Sequence, residues 1–207
     1  MTRIRPLAAF ALALVLAPCA GAYAQSLDGI KVGEAIKTAL LDHPPPSLTG
    51  KIGTFDGYRW NLPTGNELSV TADPDSGRIV YVEIDWGGGT APDKSDVPGL
   101  VFGKSTLGAI HRKYGSSGFN FKAHAMKMIG PNIISVTGYE LAHLPKTVLM
   151  LVTGLPVKDV PEVGGKPAID PDKGTLQALI LADIDYLSSI WGQERVADPK
   201  SHPVEWK

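Results

Sequence analysis

Hydrophobic and polar residues alternate in three short segments of the first half of the chain. These segments are 55–62, 67–72 and 78–86, and the turns between them are rich in Pro, Gly, Asn and Asp. A period of two is typical of strands that bury one face of an antiparallel sheet. Helix-like spacing of apolar residues precedes them between Leu27 and Leu41, and a proline run ends it. The pattern predicts a helix followed by a three-stranded antiparallel meander.

The second half follows the same order with a less regular pattern. Apolar residues between Leu100 and Tyr114 predict a short helix that ends at Gly115. Four strands and a terminal helix are predicted to follow, at 119–128, 133–141, 147–153, 176–182 and 184–191. The third and fourth of these strands are apolar on both faces, so we expect both of their faces to be covered.

Two short motifs occur twice and indicate how the chain is built. A glycine-flanked apolar segment at 29–33 and 99–103 is predicted to open each helix, and an Asp-Pro-Asp-x-Gly turn stands at 73–77 and 170–174. We therefore expect an α+β fold of two tandem units, each a short helical segment followed by an antiparallel β-meander. Whether the two sheets are continuous stays open. The predicted parts are a signal peptide (1–24), a first unit (25–86), a linker (87–98), a second unit (99–192) and an irregular C-terminal tail (193–207).

The duplicated order, with Gly29-Ile30-x-Val32-Gly33 and Gly99-Leu100-x-Phe102-Gly103 opening the two helices, resembles the tandem repeats of the β-lactamase-inhibitor-protein-like fold. Single copies of a similar unit occur in the SmpA/OmlA (BamE-like) outer-membrane assembly lipoproteins. The resemblance implies a protein-binding module of the cell envelope. It transfers no functional residue, because the inhibitor family uses disulfides within its repeats and the assembly lipoproteins use an acylated cysteine.

The first residues have the features of a secretory signal. Arg3 and Arg5 give a positive start, and the apolar run 7–16 is too short to span a bilayer. The small-x-small sequence 22–24 predicts cleavage before Gln25, and therefore a periplasmic or secreted protein.

Cys19 is the only cysteine, and it lies within the predicted signal. A lipid anchor there is disfavoured because Pro18 is a poor residue before a modified cysteine. The mature chain then has no thiol, which excludes disulfides and Cys-ligated metals. Removal of Arg3 and Arg5 leaves 18 basic and 21 acidic residues, a charge of −3, without a basic stripe. We expect no nucleic-acid partner and no membrane span.

No motif in the chain dictates chemistry, so we predict no catalytic residue, no metal and no cofactor. The five histidines are scattered without ligand spacing. The acidic turn at 73–77 lacks the later ligands of a calcium loop, and a turn explains it. An enzyme would need His124, His143 and Asp183 or Asp185 to converge between the two units.

The polar face of the first predicted sheet offers the candidate binding residues, because Tyr and Arg are frequent in binding hot spots. A merely solvated sheet face is the alternative explanation. The sequence favours an exported, non-enzymatic binding protein with an envelope protein partner. A small-ligand or metal-binding envelope protein, or a hydrolase with its site between the units, are the alternatives. The candidate residues are Arg59, Asn61, Tyr81, Glu83 and Asp85.

Overall fold

The computed structural model describes residues 25–89, 95–163, 166–167 and 170–206. The predicted signal peptide, Cys19 and the middle of the predicted linker lie outside these residues. The helices are α1 (Ile36–Asp42), α2 (Leu107–Tyr114) and α3 (Ile184–Trp191), with a 3₁₀ turn at Val157–Asp159. The strands are β1 (Leu48–Ile52), β2 (Phe55–Asn61), β3 (Glu67–Ala72), β4 (Ile79–Asp85), β5 (Phe119–Phe121), β6 (Met126–Ile129), β7 (Asn132–Leu141), β8 (Leu144–Pro156), β9 (Glu162–Val163), β10 (Lys166–Pro167), β11 (Thr175–Asp183) and β12 (Arg195–Ala197).

One ten-stranded antiparallel sheet runs through the described chain. Its order is β1-β2-β3-β4-β11-β8-β7-β5-β12, and β6 pairs with β7 beside this path, while β9 and β10 form a separate hairpin. The predicted α+β class is confirmed. The question of continuity is answered by β4 and β11, which pair antiparallel and place Val82 opposite Leu181 and Glu83 opposite Ile180.

Both faces of the central strands are covered, as expected for strands that are apolar on both faces. One core lies under α2 and the N-terminal segment, where Ile110 packs with Leu149 and Leu179. The other lies under α3, where Leu187 packs with Met150. These side chains are essentially excluded from water, and each contributes about 1.5–3 kcal/mol by burial.

The glycine-flanked motifs form turns, so the prediction that they open helices is wrong. Gly33 and Gly103 have φ values of 85° and 67°, which a helix does not allow. The Gly33 amide donates to the carbonyl of Ile79 at 2.7 Å, and the Gly103 amide donates to the carbonyl of Leu176 at 2.8 Å. Each turn is thereby fixed to the strand that follows an Asp-Pro-Asp-x-Gly turn, and the helices begin only at Ile36 and Leu107.

Three further differences concern segments with weak patterns. Strand β1 (Leu48–Ile52) was not predicted, because all five of its residues are exposed and carry no alternation. The predicted linker is not free of core residues, since Val97 is 1% exposed. The predicted irregular tail contains strand β12, which pairs with β5, and Val204, which bridges to Leu141.

Among the described residues, no helix combines the length and the apolarity that crossing a membrane requires.

Candidate functional site

The five predicted binding residues share one face of the sheet. Because side chains alternate along a strand, Tyr81, Glu83 and Asp85 of β4 point to the face that carries α3. The pairing register extends this face across β3. Arg59 of β2 lies opposite Ser69 of β3, which lies opposite Glu83 of β4, so the three residues form one row across the strands. A second row contains Asn61, Glu67 and Asp85.

The register divides the candidates into two groups. Tyr81, Glu83 and Asp85 line a cleft of about 390 Å³, while Arg59 and Asn61 are exposed on β2 beyond it. Arg59 binds Glu67 through an ion pair of 3.0 Å. Its guanidinium therefore contributes its field to the cleft without lining it.

We call this feature the acidic cleft. Its floor belongs to strands β4, β11, β8 and β7, and its walls belong to β6, the segment before β6 and the end of α3. It is lined by Tyr81, Glu83, Asp85, His124, Lys127, Ile129, Ile134, Val136, Val152, Gln177, Ala178, Ile180 and Trp191. The carboxylates and the Tyr81 ring come from the first half of the chain, and the apolar floor and the rings of His124 and Trp191 come from the second.

An aromatic pair forms one wall of the acidic cleft. The rings of His124 and Trp191 stack with centroids 5.2 Å apart and an angle of 19° between their planes. The ring of Phe121 also packs edge to face against Trp191, with the ring centroids 5.5 Å apart. A planar wall beside carboxylates suits a ligand with a flat or apolar part next to a charged part.

Helix α3 positions this wall because its start is fixed. The carboxylate of Asp183 accepts hydrogen bonds from the amides of Asp185 and Tyr186 at 2.8 and 3.2 Å. Such a cap satisfies amides that have no partner within the helix. The ring of Tyr186 then packs edge to face on Phe55 and Tyr81, with centroids 4.8 and 5.9 Å apart. The helix thereby crosses the sheet face and ends at Trp191.

Burial disfavours the charged form of the two carboxylates in the acidic cleft. Desolvation, together with the charge of the neighbouring Asp85 carboxylate, raises the pKa of Glu83 to about 7. Desolvation also raises the pKa of Asp85, with a contribution from Glu67, while Arg59 acts in the opposite direction. Because both carboxylates are ionised only at a cost, the cleft is a place where a positive charge is favoured.

The Tyr81 hydroxyl donates to Oε2 of Glu83 at 2.8 Å. Desolvation and the nearby Glu83 charge raise the pKa of Tyr81 well above its usual value. Tyr81 therefore remains a hydrogen-bond donor throughout the physiological range.

The residues required for the predicted enzymatic alternative do not meet. His124 lines the acidic cleft, whereas Asp183 and Asp185 line a different cleft of about 520 Å³. His143 lies within 3.9 Å of Glu205. A catalytic site built from these four side chains is therefore not formed.

The acidic turns act as turns. Oδ1 of Asp73 accepts hydrogen bonds from the amide and the hydroxyl of Ser76, each at 2.8 Å, and these bonds lower the pKa of Asp73. Oδ1 of Asp170 likewise accepts from the amide of Asp172. Across the described ranges, no three His, Cys, Asp or Glu side chains come together as metal ligands could.

Sequence reasoning missed the residues that complete the cleft. The predicted binding residues did not include Trp191, His124, Lys127 or Gln177, all of which line the cleft. Nothing in their spacing links them to Glu83, because they meet it only through the pairing of β4 with β11.

No protein-family model matches the chain, and no curated protein matches it either. Among solved structures, the fold is similar to that of an extracellular protein containing an SCP domain from Bacillus anthracis str. Ames. The TM-score is 0.51 with 10% sequence identity, and the match covers 99% of this chain. It covers 56% of the other protein, so the chain spans little more than half of that length.

This similarity corrects the resemblance drawn from the sequence. The fold matches the extracellular protein, and the suggested relation to β-lactamase-inhibitor-protein-like and BamE-like proteins is wrong. The physical reason lies in the motif that carried it. The two glycine-flanked segments are turns fixed to strands, and glycine-flanked turns of this kind are too general to identify a family.

Proposed function

We propose that this chain is an exported, non-enzymatic binding protein that recognises a positively charged group of an envelope partner in the acidic cleft. The observation that carries the proposal is the partly buried pair of Glu83 and Asp85, each with a raised pKa, on the floor of that cleft. A cation placed between them would remove their mutual repulsion and part of their desolvation cost.

Export is supported by two independent features. The sequence before Gln25 has the charge, apolar run and small residues of a cleavable signal. The protein with the similar fold is extracellular. Both favour a periplasmic or secreted location.

The tandem organisation is part of the proposal. The turns at Gly33 and Gly103 make the same hydrogen bond to the strands that begin near Ile79 and Leu176. We infer that the halves 25–86 and 99–192 are related units that were joined edge to edge, with the acidic cleft across their junction.

A crosslinked pull-down from the envelope fraction tests the proposal. The bait is the exported protein, compared with a Glu83→Gln/Asp85→Asn double variant that keeps shape and removes both charges. The control is Glu194→Gln, which removes one partner of the exposed ion pair with Lys122 outside the cleft. We expect a partner that is captured by the wild type and the control and is lost from the double variant. High salt added before the crosslinker should also reduce this capture, because charge attraction is screened there.

Peptides then identify the group that is bound. Calorimetry with the captured sequence compares each basic residue with a neutral replacement, citrulline for arginine or acetyl-lysine for lysine. Affinity should fall at least about tenfold for the replacement that enters the cleft. Unchanged capture by the double variant would show that the cleft is not the binding site.

A hydrolase is the second candidate, and one observation favours it. Glu83, whose pKa is raised to about 7, neighbours a second carboxylate, and two such groups in different environments can divide the roles of acid and base. Turnover of an ester or glycoside panel that is lost in Glu83→Gln would support this candidate over binding alone.

A further inference from the structure

The outer edge of strand β1 plays no part in the proposed function. Strand β1, Leu48–Ile52, ends the ten-stranded sheet and pairs with β2 on its inner side. In the described ranges, no other segment pairs with its outer side. All five residues are exposed, with Leu48 at 58% and Ile52 at 51%.

Natural sheets usually protect such an edge with charge, proline or a bulge. Strand β1 has no proline, and its pairing with β2 is regular over all five residues. Its single charged residue is Lys51, which is held by Asp56 of the neighbouring strand in an ion pair of 2.7 Å. That pair neutralises the lysine, so the edge is open to another strand.

The residue order of β1 is self-complementary. Antiparallel pairing of two copies about Gly50 would place Leu48 of one opposite Ile52 of the other. Thr49 would face Lys51, so that no two like charges lie opposite each other. The apolar ends cover each other, and Gly50 meets Gly50 at the centre, where neither residue has a side chain to interfere.

We propose that β1 pairs antiparallel with β1 of a second copy of this chain, joining the two sheets into one continuous sheet. A second copy fits this edge, because its Leu48 and Ile52 cover the exposed Ile52 and Leu48 and no like charges meet in the register. The twofold axis pairs the β1 edge of one copy with the β1 edge of the other. No β1 edge is then left for a third copy, so the assembly closes as a dimer.

Position 50 allows a direct test of this register. A Cβ added at Gly50 meets nothing within 4 Å, so Gly50→Glu and Gly50→Lys fit the single chain. In the proposed dimer each variant would place two like charges opposite each other at the twofold axis. Sedimentation velocity over a concentration series should show dimer for the wild type and for the Gly50→Ser control, and monomer for each charged variant.

The mixture of the two charged variants makes the test specific. An equimolar mixture of Gly50→Glu and Gly50→Lys should form a heterodimer, because opposite charges then meet at the axis. Circular dichroism of each variant confirms that its fold is kept. The proposal is overturned if the wild type stays monomeric at every concentration, if the charged variants dimerise like the wild type, or if the mixture remains monomeric. Capture of a foreign strand peptide by a monomeric wild type would assign the edge to another partner.

Discussion

The Tyr81 hydroxyl donates a hydrogen bond to Oε2 of Glu83, 2.8 Å away and two residues along β4. The bond stabilises the ionised form of Glu83, whereas burial and the Asp85 charge both destabilise that form. The balance leaves Glu83 with a pKa of about 7, so the charge of the acidic cleft changes near neutral pH.

The first prediction concerns stability against pH. Glu83 has a pKa of about 7 in the folded chain, above the usual value of about 4.3 that it has when unfolded. The folded state therefore binds more protons between these values, so the free energy of unfolding falls as pH rises from about 4.5 to about 7. We expect a loss on the order of 1–3 kcal/mol, measured by urea unfolding at several pH values.

The Glu83→Gln variant should lose this part of the pH dependence and be more stable than the wild type at pH 8. The control Glu194→Gln removes an exposed carboxylate and should keep the wild-type profile. An identical slope in Glu83→Gln and wild type would contradict the assignment.

The second prediction isolates the hydroxyl of Tyr81. Tyr81→Phe removes the donor and should raise the pKa of Glu83 further, since the hydrogen bond lowers it. The loss of the bond should also cost about 1 kcal/mol of stability at pH 8. Carbon-detected NMR of the Glu83 carboxyl measures the pKa directly, and Tyr58→Phe, on the opposite face of the sheet, should leave it unchanged.

The third prediction compares the two repeated turns. Both Gly33 and Gly103 have positive φ, so alanine should cost roughly 1–2 kcal/mol at either position. A Cβ at Gly33 meets open space, whereas one at Gly103 would collide with the ring of Trp86. We expect Gly103→Ala to cost about 1–3 kcal/mol more than Gly33→Ala in chemical unfolding. Equal losses would mean that the Trp86 ring moves aside freely.

The fourth prediction concerns the start of α3. Asp183→Ala removes a side chain that accepts from two helix amides and should cost about 1 kcal/mol. Asp185→Ala removes an exposed ion pair with Lys146 and should cost less than about 0.5 kcal/mol. Thermal unfolding of both variants gives the comparison. A larger loss for Asp185→Ala would contradict the capping role.

Helices and strands could be predicted where one face is buried, because apolar residues then recur at a regular spacing in the sequence. The predicted strand 67–72 and helix 184–191 coincide with β3 and α3, because each buries one continuous face. Strand β1 could not be predicted, since no position in Leu48–Ile52 is buried. The start of α1 was placed too early because Leu27 and Ile30 are buried in a turn that mimics helical spacing.

Only the part of the acidic cleft that belongs to β4 could be predicted from the sequence. Tyr81, Glu83 and Asp85 share one strand, so alternation alone places them together. Trp191 and His124 lie far along the chain and reach them through the pairing of distant strands. Local patterns cannot carry that information.

The central strand of the sheet is synthesised after both of the strands that it joins. Strand β11 lies between β4 and β8, and Val82 meets Leu181 about 100 positions later in the chain. Until Thr175–Asp183 has emerged, β4 and β8 each keep an unpaired edge, and neither half can close on the other. Closing so long a loop is slow compared with local pairing. The junction of the two halves therefore forms only after β11 has been synthesised, whereas the hairpins within each half can pair before it.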